Sequence, residues 1–216
     1  MKSSVTKTQF FSGLLALACV MASFGLLSAE DEGFTTLFDG KSLKGWKGNT
    51  DGYVAADGVI ACKGGGSGNL YTEKEYSDFE FRFEFKLTPG ANNGIGIRAP
   101  MEGDPAFAGI EVQILDDGDP KYKDLQPYQV HGSVYGVIAA KRGALKPVGE
   151  WNQETIIAKG NHFKVILNGE TIVDGVAEKP IDGREHPGLA RKSGYICFCG
   201  HGDKLEFRNL RVKELK

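Results

Sequence analysis

After residue 29 the sequence has no long apolar run, so nothing beyond that point reads as a membrane-spanning helix. It also has no block of lysine or arginine. With 26 basic and 28 acidic residues the chain is close to neutral, which speaks against a nucleic-acid partner. Cysteine is scarce, four in 216 residues. Cys19 lies in the N-terminal apolar run, and Cys62, Cys197 and Cys199 have no zinc-ligand spacing. Cys197 and Cys199 sit two apart on a strand-like stretch, with Cα atoms near the limit for a disulfide. They read as small buried hydrophobes, while a bridge from Cys62 to either one stays open. Amphipathic helical periodicity is missing almost throughout.

The N-terminus has a pattern of its own. Lys2 and Lys7 precede "FFSGLLALACVMASFGLLSAED", an apolar run that ends in small residues and then acid. This is the layout of a secretory signal, with cleavage after Ala29 and a secreted or periplasmic product. The run from Phe10 to Leu27 is also long enough to stay as a membrane span, but the leading lysines and trailing small residues favour removal. A lipoprotein reading through Cys19 is weaker, because Ala16 stands where that pattern prefers leucine. The division is therefore residues 1–29 as signal and 30–216 as a single domain, large enough to bury a real core and with no membrane contact once the signal is gone.

What the sequence does have is alternation and glycine. "DFEFRFEFKLTP" places Phe79, Phe81, Phe83, Phe85 and Leu87 on one face of a strand and Glu80, Arg82, Glu84 and Lys86 on the other. "NNGIGIRAP" follows across a Pro-Gly turn. "HFKVILNGETIVD" is a hairpin joined by Asn168-Gly169, a pair suited to a type I′ turn. "GYICFCGHGDKLEFRNLRVKEL" reads as two closing strands about His201-Gly202-Asp203. Thirty glycines supply turns between such runs. The pattern is all-β, a sandwich of two antiparallel sheets.

One strand raises a question of its own. In "GIEVQILDDGD", Ile110, Val112 and Ile114 alternate as one apolar face, and Glu111 and Gln113 occupy the other. Periodicity does not decide whether that second face meets bulk water or holds a carboxylate in a cleft.

"TLFDGKSLKGWKG" resembles the opening signature of the 3-keto-disaccharide hydrolase family, formerly domain of unknown function 1080 and also described as 3-keto-glucoside lyase/hydratase. The resemblance continues in order through "NNGIGIRAP", "GIEVQILDD", "GSVYG", "GEWNQETIIAKGNHFKVILNGETIVD" and "GHGDKLEFRNLRVKEL", covering Phe34 to Leu215. It implies a concanavalin-like jelly roll whose concave sheet presents a sugar-binding groove, a carbohydrate substrate, secretion, and a divalent metal (calcium, magnesium or manganese). On such a sheet, polar residues alternating along a central strand point into a pocket, with Glu111 and Gln113 about 7 Å apart.

The chemistry implied by the resemblance assigns the remaining candidates. A ketone at C3 acidifies the C2 proton, so a base can form an enolate that expels the C1 oxygen, after which water adds. Such a site needs a base, help for the departing oxygen, and donors facing the enolate. Glu111 is the candidate base. His201, in a Gly-His-Gly turn, is the candidate acid, metal ligand or hydroxyl partner. Many relatives carry Gln-Asp-His-Gly where this chain has Cys199-Gly200-His201-Gly202, so His201 lacks an adjacent orienting carboxylate. Arg98, alternating away from Ile95 and Ile97, is expected on the Glu111 face, to stabilise an enolate or clamp hydroxyls or equally to make a structural ion pair with Glu111. Gln113 and Asn93 are expected to bind sugar hydroxyls, and Trp46 and Tyr135 to stack on a ring, although Trp46 also reads as core. Asp116, in "DDGD", is the metal candidate, although that composition also makes ordinary turns. Two other readings stay open. One is a non-catalytic carbohydrate-binding module on the same scaffold. The other is a two-carboxylate glycosidase pairing Glu111 with Asp116 or Glu102. Oligomeric state is not legible.

Overall fold

A computed structural model describes residues 32–216, and the signal reading for residues 1–29 lies outside them. The strands in chain order are β1 (Thr35–Thr36), β2 (Trp46–Gly48), β3 (Tyr53–Ala56), β4 (Val59–Cys62), β5 (Gly68–Tyr76), β6 (Phe79–Leu87) and β7 (Asn92–Ala99). A single helical turn, α1 (Pro105–Ala108), precedes β8 (Ile110–Leu115). The remaining strands are β9 (Trp151–Lys159), β10 (His162–Leu167), β11 (Glu170–Val176), β12 (Gly194–Gly200) and β13 (Leu205–Glu214). They form two antiparallel sheets in a jelly-roll sandwich. The larger runs β11-β10-β9-β6-β13-β4-β3 with β1 added against β13, and the smaller runs β2-β5-β12-β7-β8.

Alternation builds the core between them. On β6 the five apolar side chains are buried and the four charged ones half-buried, as the sequence predicts. Phe198 from β12 stacks on Phe207 from β13 with centroids 3.9 Å apart, joining the sheets, and Trp46 lies against the same Phe198 at 5.0 Å. The β10–β11 hairpin closes through Asn168 and Gly169 at φ +49° and +88°, the left-handed pair that a type I′ turn demands. Cys62, Cys197 and Cys199 are all buried and free. Among the described residues no helix is long and apolar enough to cross a membrane.

One expectation about the frame needs correction. β8 is the last strand of the smaller sheet, not a central one. Its outer edge is still not bare. Gly132 N–H donates to Gln113 O, Gln113 N–H to Ser133 O, and Tyr135 N–H to Glu111 O at 2.9 Å. A loop segment therefore pairs with the edge as a further strand would, which satisfies the backbone and brings Tyr135 beside Glu111.

Candidate active site

Both faces of β8 are buried. Ile110, Val112 and Ile114 join the core between the sheets. On the opposite face Glu111, Gln113 and Leu115 line a cleft of about 340 Å³. The "GIEVQILDDGD" stretch thus holds its carboxylate in a cavity, not in bulk water.

Neighbouring strands make the room. Gly94 and Gly96 on β7 face the cleft side, and a Cβ at Gly94 would fall on the Glu111 carboxylate. A Cβ at Gly96 would collide with Cys197 Sγ on β12. The glycines of "NNGIGI" are therefore space for the acid and for the two thiols beneath it, whose sulfurs lie 3.9 Å apart. On the far side, Asp104 caps α1 by accepting from Ala106 N–H at 3.0 Å.

Glu111 is 4% exposed, and its Oε1 has no hydrogen-bond partner. The nearest cation is His201, with Nε2 3.8 Å from Oε1, an ion-pair distance beyond hydrogen bonding. Burial pushes the Glu111 carboxyl above its ordinary value, and Asp104 adds to this, while His201 and the Cys199 thiol work against it. Glu111 in turn raises the His201 imidazole, helped by Asp104 and Asp203 and opposed by partial burial. The carboxylate missing beside His201 in sequence is thus supplied in space, chiefly by Glu111. The turn itself is held by Asp203, which accepts from Asn92 N–H at 3.0 Å, and by Gly202 O, which accepts from Gly65 N–H at 2.8 Å.

The cleft brings together four of the sequence candidates: Glu111, His201, Gln113 and Tyr135. Gln113 Nε2 donates to Asn92 Oδ1 at 2.9 Å, which orients both amides along the wall.

The other four do not reach it. Arg98 has φ +49° within a register shift between β7 and β12, and this bulge turns its side chain away. Its guanidinium donates instead to Ser77 O, Gly160 O and Asp78 Oδ1 at 2.7–3.0 Å. Asn93 shares the phase of Ile95 and Ile97, so it faces the core near Cys62 Sγ, and Asn92 takes the cleft position one residue earlier. Trp46 is core, its Nε1–H donating to Leu37 O at 2.8 Å. Asp116 closes a turn, with Oδ2 accepting from Gly90 N–H at 2.8 Å.

The same geometry tests a metal. Among the described residues no three His, Cys, Asp or Glu side chains converge so as to hold an ion, and the Asp116 carboxylate is committed to Gly90. The residues present do not form a ready calcium, magnesium or manganese site.

Sequence reasoning missed Arg184, Phe107 and Asp104, which complete the cleft wall. Arg184 lies with its Cζ 4.3 Å from the Phe107 ring centroid, and its Nε donates to Asp182 Oδ2 at 2.9 Å. The same oxygen is 3.0 Å from His186 Nε2. The "DGREH" cluster carried the only sequence signal, alternating acid, base and imidazole in a segment with no strand periodicity.

The family described as the 3-keto-alpha-glucoside-1,2-lyase-like domain matches residues 33–213. The chain belongs to that family. It is 28% identical to a 3-keto-disaccharide hydrolase from Bacteroides thetaiotaomicron, over 88% of this chain and 81% of the relative. Two solved structures from Parabacteroides distasonis, each described as a putative glycosyl hydrolase, superpose with a TM-score of 0.74. They are 29% and 27% identical, cover 84% and 88% of this chain, and are themselves covered to 99%.

Proposed function

We propose that this protein cleaves 3-keto-glycosides by elimination and hydration, and that it does so outside the cytoplasm. The observation that carries the reading is Glu111, a buried carboxylate on the floor of a cleft with an oxygen that accepts no hydrogen bond. Glu154 also has an unpaired buried oxygen, but it is bound to His131 beneath Phe85 and does not line this cleft. An ionised, under-solvated carboxylate is a stronger base than one in water, which suits removal of a ketone-activated C–H proton.

Glu111 takes the C2 proton, and the C–H electrons pass through C2 and C3 onto the C3 oxygen. When the carbonyl re-forms, C1 and C2 become doubly bonded and the C1–O bond breaks. His201, protonated beside Glu111, gives its proton to the departing oxygen. Water then adds to the unsaturated ketone. The base and acid lie 3.8 Å apart, an arrangement for elimination on one side of the ring. A two-carboxylate glycosidase is less well served, since Asp116 is tied to Gly90 and Glu102 is exposed and off the cleft wall.

The test uses purified protein with 3-keto-trehalose and 3-keto-sucrose against the unoxidised parents. Turnover should be confined to the keto-sugars, and Glu111→Gln should lower kcat by about 10²–10⁴-fold while sugar binding survives. Wild-type protein that binds the sugars without converting them would instead be a binding module. Secretion is checked separately by intact mass, which should begin at Glu30; a retained Met1 in a membrane fraction would refute it.

A further inference from the structure

One face of the Tyr135 ring is covered by Arg184, whose Cζ is 5.7 Å from the centroid, and Phe107 packs against it edge-on at 6.4 Å. These contacts crowd the ring and leave the hydroxyl as its polar feature in the cleft. Gln129 Oε1 accepts from Gln126 N–H at 2.9 Å, which fixes the amide orientation. The group that meets Tyr135 is therefore the NH₂, donating to Oη at 3.1 Å. Arg184, which has donors and no acceptor, lies over the same ring and cannot take a proton from the phenol. A phenol has a single proton. With its oxygen receiving from Gln129 and the guanidinium beside it unable to accept, that proton points elsewhere, and among the described residues no acceptor takes it. Tyr135 and Glu111 line one cleft, and Tyr135 N–H donates to Glu111 O.

We propose that the Tyr135 hydroxyl donates a hydrogen bond to the C3 oxygen of a 3-keto-glycoside, the atom that carries the enolate charge once Glu111 has taken the C2 proton. The assignment rests on the lyase reading above. Tyr135 keeps its proton throughout and shares it more strongly as negative charge develops on the substrate oxygen. The Gln129 amide on the phenol oxygen makes its O–H a better donor. Arg184 acts through Tyr135 as a positioning residue. Its place is fixed by Asp182, whose carboxyl is held at about 2: burial opposes this, but hydrogen bonds from the Arg184 backbone, His186 and the guanidinium outweigh it.

The experiment compares wild type, Tyr135→Phe and Arg184→Gln on 3-keto-trehalose in deuterated solvent, following C2 hydrogen exchange by NMR beside kcat and KM. Phenylalanine keeps the ring packing, and unfolding midpoints verify that each variant is folded. Loss of one such donor should lower exchange and kcat together by about 10²–10³-fold with KM little changed, and Arg184→Gln should lower both by less. Exchange that persists in Tyr135→Phe while elimination fails would move Tyr135 to the departing oxygen and overturn the assignment. A rise in KM alone would reduce it to a binding contact and overturn it equally. If Glu111→Gln abolishes exchange and Tyr135→Phe leaves it intact, the donor fails while the base stands. If wild type shows no exchange at all, the lyase reading falls and takes this assignment with it.

Discussion

Along β6, the side chains of Glu80 and Glu84 are 18% and 15% exposed; along β8, the side chain of Glu111 is 5% exposed. Exposure separates the two strands less than partnership does. Glu80 accepts from the Arg82 guanidinium at 2.7 Å, and Glu84 from Arg208 and Asn209, both at 2.7 Å. Glu111 Oε1 accepts from nothing, and its one cation stands off at 3.8 Å. The two strands have the same period and carboxylates at the same phase. On β6 every charge is answered by a neighbour, so the face is structural. On β8 the strand opposite carries Gly94, which has no side chain to answer it, and Oε1 is left without a hydrogen bond.

The sharpest break of this comparison is Glu111→Gln. Beyond the loss of turnover, it should raise the unfolding midpoint at neutral pH. A carboxyl whose folded pKa is raised supports the fold while protonated and costs stability as pH climbs through that raised value. Removing the charge removes the cost, a gain on the order of 1 kcal/mol for a buried group of this kind. The gain should vanish below the carboxyl's unfolded pKa, where Glu111 is protonated in both states. Urea unfolding at neutral and acid pH reads this directly. A destabilised variant at neutral pH would mean that the Glu111 charge is satisfied after all.

The inner face of β6 should respond to packing and not to charge. Phe81 is fully buried and stacks on Phe83 at 4.9 Å. Phe81→Ala should cost about 3–5 kcal/mol of stability, by loss of burial and the cavity left behind. Denaturant unfolding would show a lowered midpoint with an unchanged slope. A loss below about 1 kcal/mol would mean that the sheets collapse around the gap.

Those two faces also mark how far the sequence could be read. Strict alternation on β6 and β8 sets the core and the placing of Glu111 and Gln113, because a period of two leaves no choice of face. Asn93 was legible by the same rule, since it shares the phase of Ile95 and Ile97, yet its side-chain chemistry drew it to the wrong face. Arg98 was not legible, because a bulge at a left-handed residue breaks alternation and strand patterning has no term for it. Arg184 and Phe107 come from a loop and a single helical turn, where tertiary closure alone decides who meets whom. The pairing of His201 with Glu111 joins residues far apart in the chain, and sequence could name both but not their distance.

A finer test changes the standing charge beside Glu111. His201 raises its own affinity for protons through Glu111 and lowers that of Glu111 in return, with Asp104 and Asp203 also facing the imidazole. As base and acid they should give a bell-shaped pH dependence of kcat/KM. The acid limb belongs to the ionisation of Glu111 and the alkaline limb to loss of the His201 proton above its usual range. His201→Gln should abolish the alkaline limb and move the acid limb to higher pH, because the imidazolium that favoured the Glu111 anion is gone. The fall in kcat should be about 10²-fold, the lower end for loss of an acid. An unchanged profile would remove His201 from the chemistry.

The smallest effect is expected where β6 most resembles β8. Glu80→Gln makes on the outer face of β6 the same substitution as Glu111→Gln makes in the cleft. Glu80 shares a half-buried ion pair with Arg82, and pairs of this kind contribute about 0–1 kcal/mol. Arg82 also lies with its Cζ 4.4 Å from the Phe34 centroid, so the guanidinium keeps a partner after the charge opposite is lost. Stability should therefore change by no more than about 0.5 kcal/mol and turnover not at all. If Glu80→Gln lowered turnover while leaving the fold intact, the outer face of the larger sheet would be coupled to the cleft. Missing partners could not then be what sets Glu111 apart. If it shifted stability with the same sign and pH dependence as Glu111→Gln, the two carboxylates would share one environment, and the contrast between the strands would rest on exposure alone.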